Sequence, residues 1–143
     1  MSPKVLYLSD ELAAFLLSAA ARAFPLESCG LIEGRETEDG WIATAVHEAA
    51  NLAEDPARAF LIDPEVQFKL LRTLRGTASR LIGCYHSHPG GPADPSATDS
   101  AQAMETDFLW LIAGGAPETG FALRAYVFSE GGGFSTVALR DEG

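Results

Sequence analysis

The chain has 143 residues, 47% of them hydrophobic, with 20 acidic side chains against 10 basic ones and a formal net charge of -10. That length suits a single domain over residues 1–143 with its own core, and the charge disfavours nucleic acid, whose binding needs clustered Lys and Arg to neutralise phosphates. No apolar run approaches the ~18 residues of a membrane span, the first ten residues lack the regions of a signal peptide, and two cysteines make no secreted disulfide framework, so a cytoplasmic protein is expected.

Ser9 caps a predicted helix running to about Ala23, with Asp10 and Glu11 in its first turn and Leu12, Phe15, Leu16, Ala19 and Ala20 at helical spacing. Pro25 ends it. Strands are predicted over Cys29–Glu33, Trp41–Glu48 and Arg58–Ile62, with a polar turn at Glu36–Gly40. Asp63-Pro64 opens a second helix whose apolar face is Val66, Leu70, Leu71 and Leu74, and Gly76 stops it. Lys69, Arg72, Arg75 and Arg80 gather loosely on and after that helix, as a solvated face or a local docking patch. A strand over Arg80–Tyr85 then leads into His86 and His88. A short helix beyond Asp99 reaches Glu105, and three strands follow over Phe108–Ala113, Phe121–Ser129 and Phe134–Leu139, with the last turn at Gly131 to Gly133. The expected fold class is α/β, a central mixed, mostly antiparallel sheet flanked by helices.

The segment from His86 to Asp99 concentrates the chemistry. Two imidazoles one residue apart lie on the same side of an extended chain and can share an ion. With Asp99 they supply three ligands, the number a hydrolytic zinc site uses while leaving a fourth position for a water of lowered pKa. Each part also has a plain explanation. Alternating histidines occur on half-exposed strands, and Ser96 with Asp99 three positions on makes a helix cap. The two readings of Ser96-x-x-Asp99 are compatible, since a capped helix start fixes the carboxylate. Strand parity puts Ile82, Cys84 and His86 on one face, as it does Glu27, Cys29 and Leu31. Packing is the expected role of both cysteines, with a Cys-His nucleophile as the sharper alternative. His47 lacks local ligand spacing, Trp41 and Trp110 suit packing, and Ser87 points away from the histidines and is assigned no chemistry.

The run His86-Ser87-His88-Pro89, six residues, Ser96-Ala97-Thr98-Asp99 resembles the JAMM motif of the MPN+ (JAB/Mov34-type) zinc metalloproteases at every defining position. Pro25-Leu26-Glu27-Ser28-Cys29-Gly30 resembles the family's upstream glutamate segment, and the small size resembles its stand-alone prokaryotic members. The resemblance implies a JAB/MPN-type domain with layering like that of cytidine deaminases. It implies Zn2+ held by His86, His88 and Asp99, Glu27 as general base, and Ser96 as hydrogen-bond donor to the oxyanion. It further implies cleavage of a peptide or isopeptide bond after the C-terminal Gly-Gly of a ubiquitin-like sulfur-carrier protein of the ThiS/MoaD type. A noncatalytic MPN-type interaction scaffold is the alternative from another class. A RadC-like protein ranks lower, because Ser87 stands where that family has asparagine and the chain is acidic. A deaminase assignment fits poorly, since that zinc chemistry needs a Pro-Cys-x-x-Cys segment that the sequence lacks.

Overall fold

The computed structural model describes residues 4–103, 107–129, 131 and 133–141. In chain order the elements are β1 (Val5–Tyr7), α1 (Asp10–Ala23), β2 (Cys29–Thr37), β3 (Gly40–Ala49), α2 (Pro64–Leu74), β4 (Arg80–Pro89), α3 (Ala97–Gln102), β5 (Leu109–Ala116), β6 (Gly120–Ser129) and β7 (Gly133–Arg140). The helix starts follow the local chemistry. Ser9 Oγ accepts from Leu12 N at 3.2 Å, Asp63 Oδ1 accepts from Glu65 N at 3.0 Å, and Pro64 opens α2, where its missing N–H costs nothing. Helix α1 ends at Ala23 because a residue before proline, here Phe24, avoids helical backbone. Gly76, at φ +77°, carries the chain out of α2. Among the described residues no helix is long and apolar enough to cross a membrane.

The expectation of a helix-flanked central sheet is overturned. The strands close into a barrel in the order β1-β3-β2-β4-β5-β6-β7, and β1 seals it by pairing in parallel with both β3 and β7. Four of the seven pairings are antiparallel and three are parallel. The closing strand has no signature in the sequence, since its three residues are too short to show an alternating pattern.

Alternate side chains of the same strands feed two cores. Ile32, Leu109, Leu111, Val127 and Leu6 pack with Leu16 of α1, while Cys29, Leu31, Cys84, Trp110 and Ile112 pack with Leu70 and Leu74 of α2. Leu71 does not join them. It is 44% exposed, because one step from Leu70 turns it about 100° away from the row Val66, Leu70, Leu74. Lys69, Arg72, Arg75 and Arg80 are exposed, and Arg80 pairs with Glu36.

The predicted strand at Arg58–Ile62 is also corrected. Only a single bridge, Asn51 to Ile62, forms there. Asn51 takes over the hydrogen bonding that a neighbouring strand would supply: its Oδ1 accepts from Ala53 N and Leu61 N, and its Nδ2 donates to Ala59 O. The expected helical residue Glu105 and the turn residue Gly132 lie outside the described residues.

Candidate metal centre

Strand β4 continues through both histidines, held by antiparallel pairing with β2 (Cys29 opposite His86) and parallel pairing with β5 (His86 opposite Ile112, His88 opposite Gly114). The chain then turns and returns as α3. Its first turn is a complete capping box, with Ser96 Oγ accepting from Asp99 N at 3.0 Å and Ser96 N donating to Asp99 Oδ2 at 2.9 Å. The cap therefore fixes the carboxylate that faces β4. Asp99 Oδ1 lies 3.1 Å from His86 Nε2, Asp99 Oδ2 lies 3.1 Å from His88 Nε2, and the two Nε2 atoms are 2.9 Å apart.

Glu27 reaches this cluster from the segment between α1 and β2. One ligand atom each from Glu27, His86 and His88 fall within 4.8 Å of one another. Glu27, His86 and Asp99 are buried. Glu27, His86, His88 and Asp99 thus come together, and Ser96 stands at their edge on the exposed start of α3. His47 is elsewhere, bonded to Glu33 at 2.9 Å.

Several supporting contacts had no signal in the sequence. His88 Nδ1 lies 3.0 Å from Pro92 O, so Nδ1–H is donated to the carbonyl and Nε2 is turned toward Asp99. Gly114 makes this possible, since a Cβ there would run into the backbone of Pro92 and Ala93. Tyr126 Oη donates to Ala93 O at 2.7 Å and secures the same loop. His86 is oriented differently. Phe60 stacks on its ring at 4.2 Å between centroids and 17° between planes, and Trp110 meets it edge-on. Its Nδ1 is buried with no hydrogen-bond partner among the described residues, so on that side of the ring packing replaces a polar anchor.

The electrostatics agree with the geometry. Burial pushes the Glu27 carboxyl up to about 7 against the opposing pull of His88, and the Asp99 carboxylate adds to the rise. For Asp99, burial is overcome by hydrogen bonds from both imidazoles, the charge of His86 and the Ser96 N–H, and its carboxyl falls well below the usual range. Burial lowers His86 despite Asp99, whereas for His88 the contacts with Asp99 and the Pro92 carbonyl outweigh burial and raise it. Cys29, buried near Glu27 and Glu48, is pushed up to about 12, which makes it a packed thiol rather than a nucleophile. No disulfide joins it to Cys84, which is also buried.

These residues suit a metal ion. The Nε2 atoms of His86 and His88 lie 2.9 Å apart and each lies 3.1 Å from an oxygen of the Asp99 carboxylate, an arrangement that repels itself unless a proton or cation sits between the acceptors. Their separations of 2.9 to 3.1 Å are close to the ~3.3 Å edge of a tetrahedron with zinc bond lengths of about 2.0 Å. His86, His88 and Asp99 could hold the ion while Glu27 stands beside it.

A buried imidazole-carboxylate set with a further carboxyl of raised pKa is the make-up of a hydrolytic metal centre. Residues 9–126 match the Prok-JAB family, the prokaryotic homologs of the JAB domain, and the chain belongs to that family. It is 33% identical over 103 residues to a desampylase of Haloferax volcanii, an alignment covering 72% of this chain and 73% of that one. It is 34% identical over 135 residues to a probable TtuB-protein conjugate cleaving protease of Thermus thermophilus, covering 92% and 79%. A solution structure of a Desulfitobacterium hafniense protein superposes with a TM-score of 0.81 at 28% identity, covering 96% of this chain and 94% of that one.

Proposed function

We propose that this protein is a zinc-dependent hydrolase that cleaves the peptide or isopeptide bond after the C-terminal Gly-Gly of a ubiquitin-like sulfur-carrier protein. The observation that carries the chemistry is the convergence of buried Glu27 on His86, His88 and Asp99. The substrate class is supported by family membership and by relatives named as a desampylase and a conjugate-cleaving protease.

Zinc held by His86, His88 and Asp99 would supply Lewis acidity and lower the pKa of a water at its open position. Glu27 takes a proton as the water oxygen attacks the carbonyl carbon of the terminal glycine. Burial lifts this carboxyl above the ordinary carboxylate range, which favours its taking up a proton. When the C–N bond breaks, Glu27 returns the proton to the departing amine, and the carrier is left with a free carboxylate. The Ser96 hydroxyl donates to the oxygen on which negative charge develops.

The test is to incubate zinc-loaded protein with sulfur carriers extended past Gly-Gly by a short peptide and to weigh the products. Release of carrier ending in Gly-Gly, one zinc per chain by elemental analysis, and loss of both on replacing His86 and His88 by alanine are expected. Cleavage that persists after chelation would overturn the proposal, as would zinc-loaded protein inert on every such carrier.

A further inference from the structure

Glu27 lies on neither a helix nor a strand, yet a general base must be held to a fraction of an ångström. Its peptide groups are all engaged. Glu27 N donates to Pro56 O at 2.8 Å, and Glu27 O accepts from Asn51 Nδ2 at 3.1 Å. The next N–H, that of Ser28, donates to Ser87 Oγ at 2.8 Å, and Ser28 Oγ donates to the same atom at 3.1 Å. We infer that Asn51 and Ser87 are positioning residues that clamp the Glu27 segment from two sides and so aim its carboxylate at the metal centre. The inference rests on the proposed role of Glu27 as the base.

Ser87 stands between the two histidines on β4, with its side chain on the opposite face. Ser87 N donates to Ser28 O at 3.0 Å, as a β2–β4 ladder would continue, but the answering bond from Ser28 N goes to the Ser87 hydroxyl. A side chain thus closes the ladder where the main chain leaves it to present Glu27. The hydroxyl is fully buried, where alanine would fill space without the cost of burying a polar group. Its two observed bonds both go to Ser28. The strand that carries the imidazoles therefore also sets the height of the base.

Asn51 works from the other side. It organises the loop 51–61 through Ala53 N, Leu61 N and Ala59 O, and that loop supplies both the Pro56 carbonyl on Glu27 and the Phe60 ring on His86. One loop thereby registers the base against a metal ligand.

The test uses zinc-loaded protein with Ser87→Ala, and Asn51→Asp as the second variant because it keeps the acceptor oxygen while removing the donors to Glu27 and Ala59. The readouts are amide exchange at Glu27 and Ser28, zinc content, and kcat and KM on a carrier–peptide fusion. Ser87→Ala should speed Ser28 exchange at least about tenfold while the distant strands keep their protection. In both variants zinc should stay at one per chain and kcat should fall roughly tenfold or more with KM within about twofold, as expected for a misplaced base. Neither change should lower turnover further when added to Glu27→Gln, since a residue acting through Glu27 has nothing left to position. Equal losses in that background, or normal kcat in both folded variants, would overturn the inference. Unchanged Ser28 exchange in Ser87→Ala would overturn it too, whether or not any carrier is cleaved, so the clamp and the substrate assignment can fail separately.

Discussion

At Glu27 the protein accepts a carboxyl that would fold more comfortably if it stayed neutral. Its folded value of about 7 lies above the ordinary 4.5, so the folded state binds the proton more tightly than the unfolded chain does. The stability linked to that proton is fully present below 4.5 and is lost as pH rises through about 7. Glutamine cannot ionise and escapes this loss. Chelated Glu27→Gln should therefore melt higher than chelated wild type at pH 8, by roughly 5 °C on the usual scale for a domain of this size, and the gap should close near pH 4.5. Thermal melts across that range decide the matter. Equal melting at both pH values would mean that Glu27 is not the strained group described here. The same variant loaded with zinc should keep its metal and lose at least about a hundredfold in turnover, so that stability and activity move in opposite directions.

Helix α3 shows how one short element can serve structure and the proposed chemistry together. Its six residues would not hold a helix alone, and the capping box supplies the two bonds that fix Asp99 toward β4. Ser96 Oγ accepts from Asp99 N, which uses a lone pair and leaves the hydroxyl proton uncommitted by that bond. Capping and oxyanion donation are thus compatible. Ser96→Ala should cost about 1 kcal/mol of stability as a lost cap and should lower turnover by roughly ten- to a thousandfold as a lost oxyanion donor. Comparing melting with kcat separates the two, and a variant that melts earlier but turns over normally would leave Ser96 as a cap alone. The meeting of this helix with β4 was legible in the sequence because its parts lie within a few positions: His86 and His88 by strand alternation, Ser96 and Asp99 by helix-cap spacing. The loop 51–61 was not. Its conformation depends on one asparagine satisfying backbone groups up to ten residues away within the loop, and the stretch from Arg58 to Ile62 reads as an ordinary strand.

The barrel's closure was illegible for a related reason, since β1 joins β7 across almost the whole chain and no local pattern announces a three-residue strand. Closure also separates stability from function. Around the ring β1 lies three strands from β4 on one side and four on the other, so the seal sits opposite the strand that carries the imidazoles. Leu6 is fully buried in that seal, packed with Leu16, Trp41 and Val137. Leu6→Ala should remove about 3 kcal/mol through lost burial and the cavity left behind, lowering the melting temperature by roughly 10 °C. The site does not share these contacts. His86 is packed by Phe60 and Trp110, His88 is held by Pro92 O, and Asp99 by the α3 cap. Well below its melting point the variant should therefore hold one zinc per chain and turn over at the wild-type rate, because changes at distant sites with no shared partners act independently. Melting followed by circular dichroism and elemental analysis at 20 °C check the two halves. A folded Leu6→Ala protein that has lost its zinc would mean that the seal and the site are coupled through the strands between them.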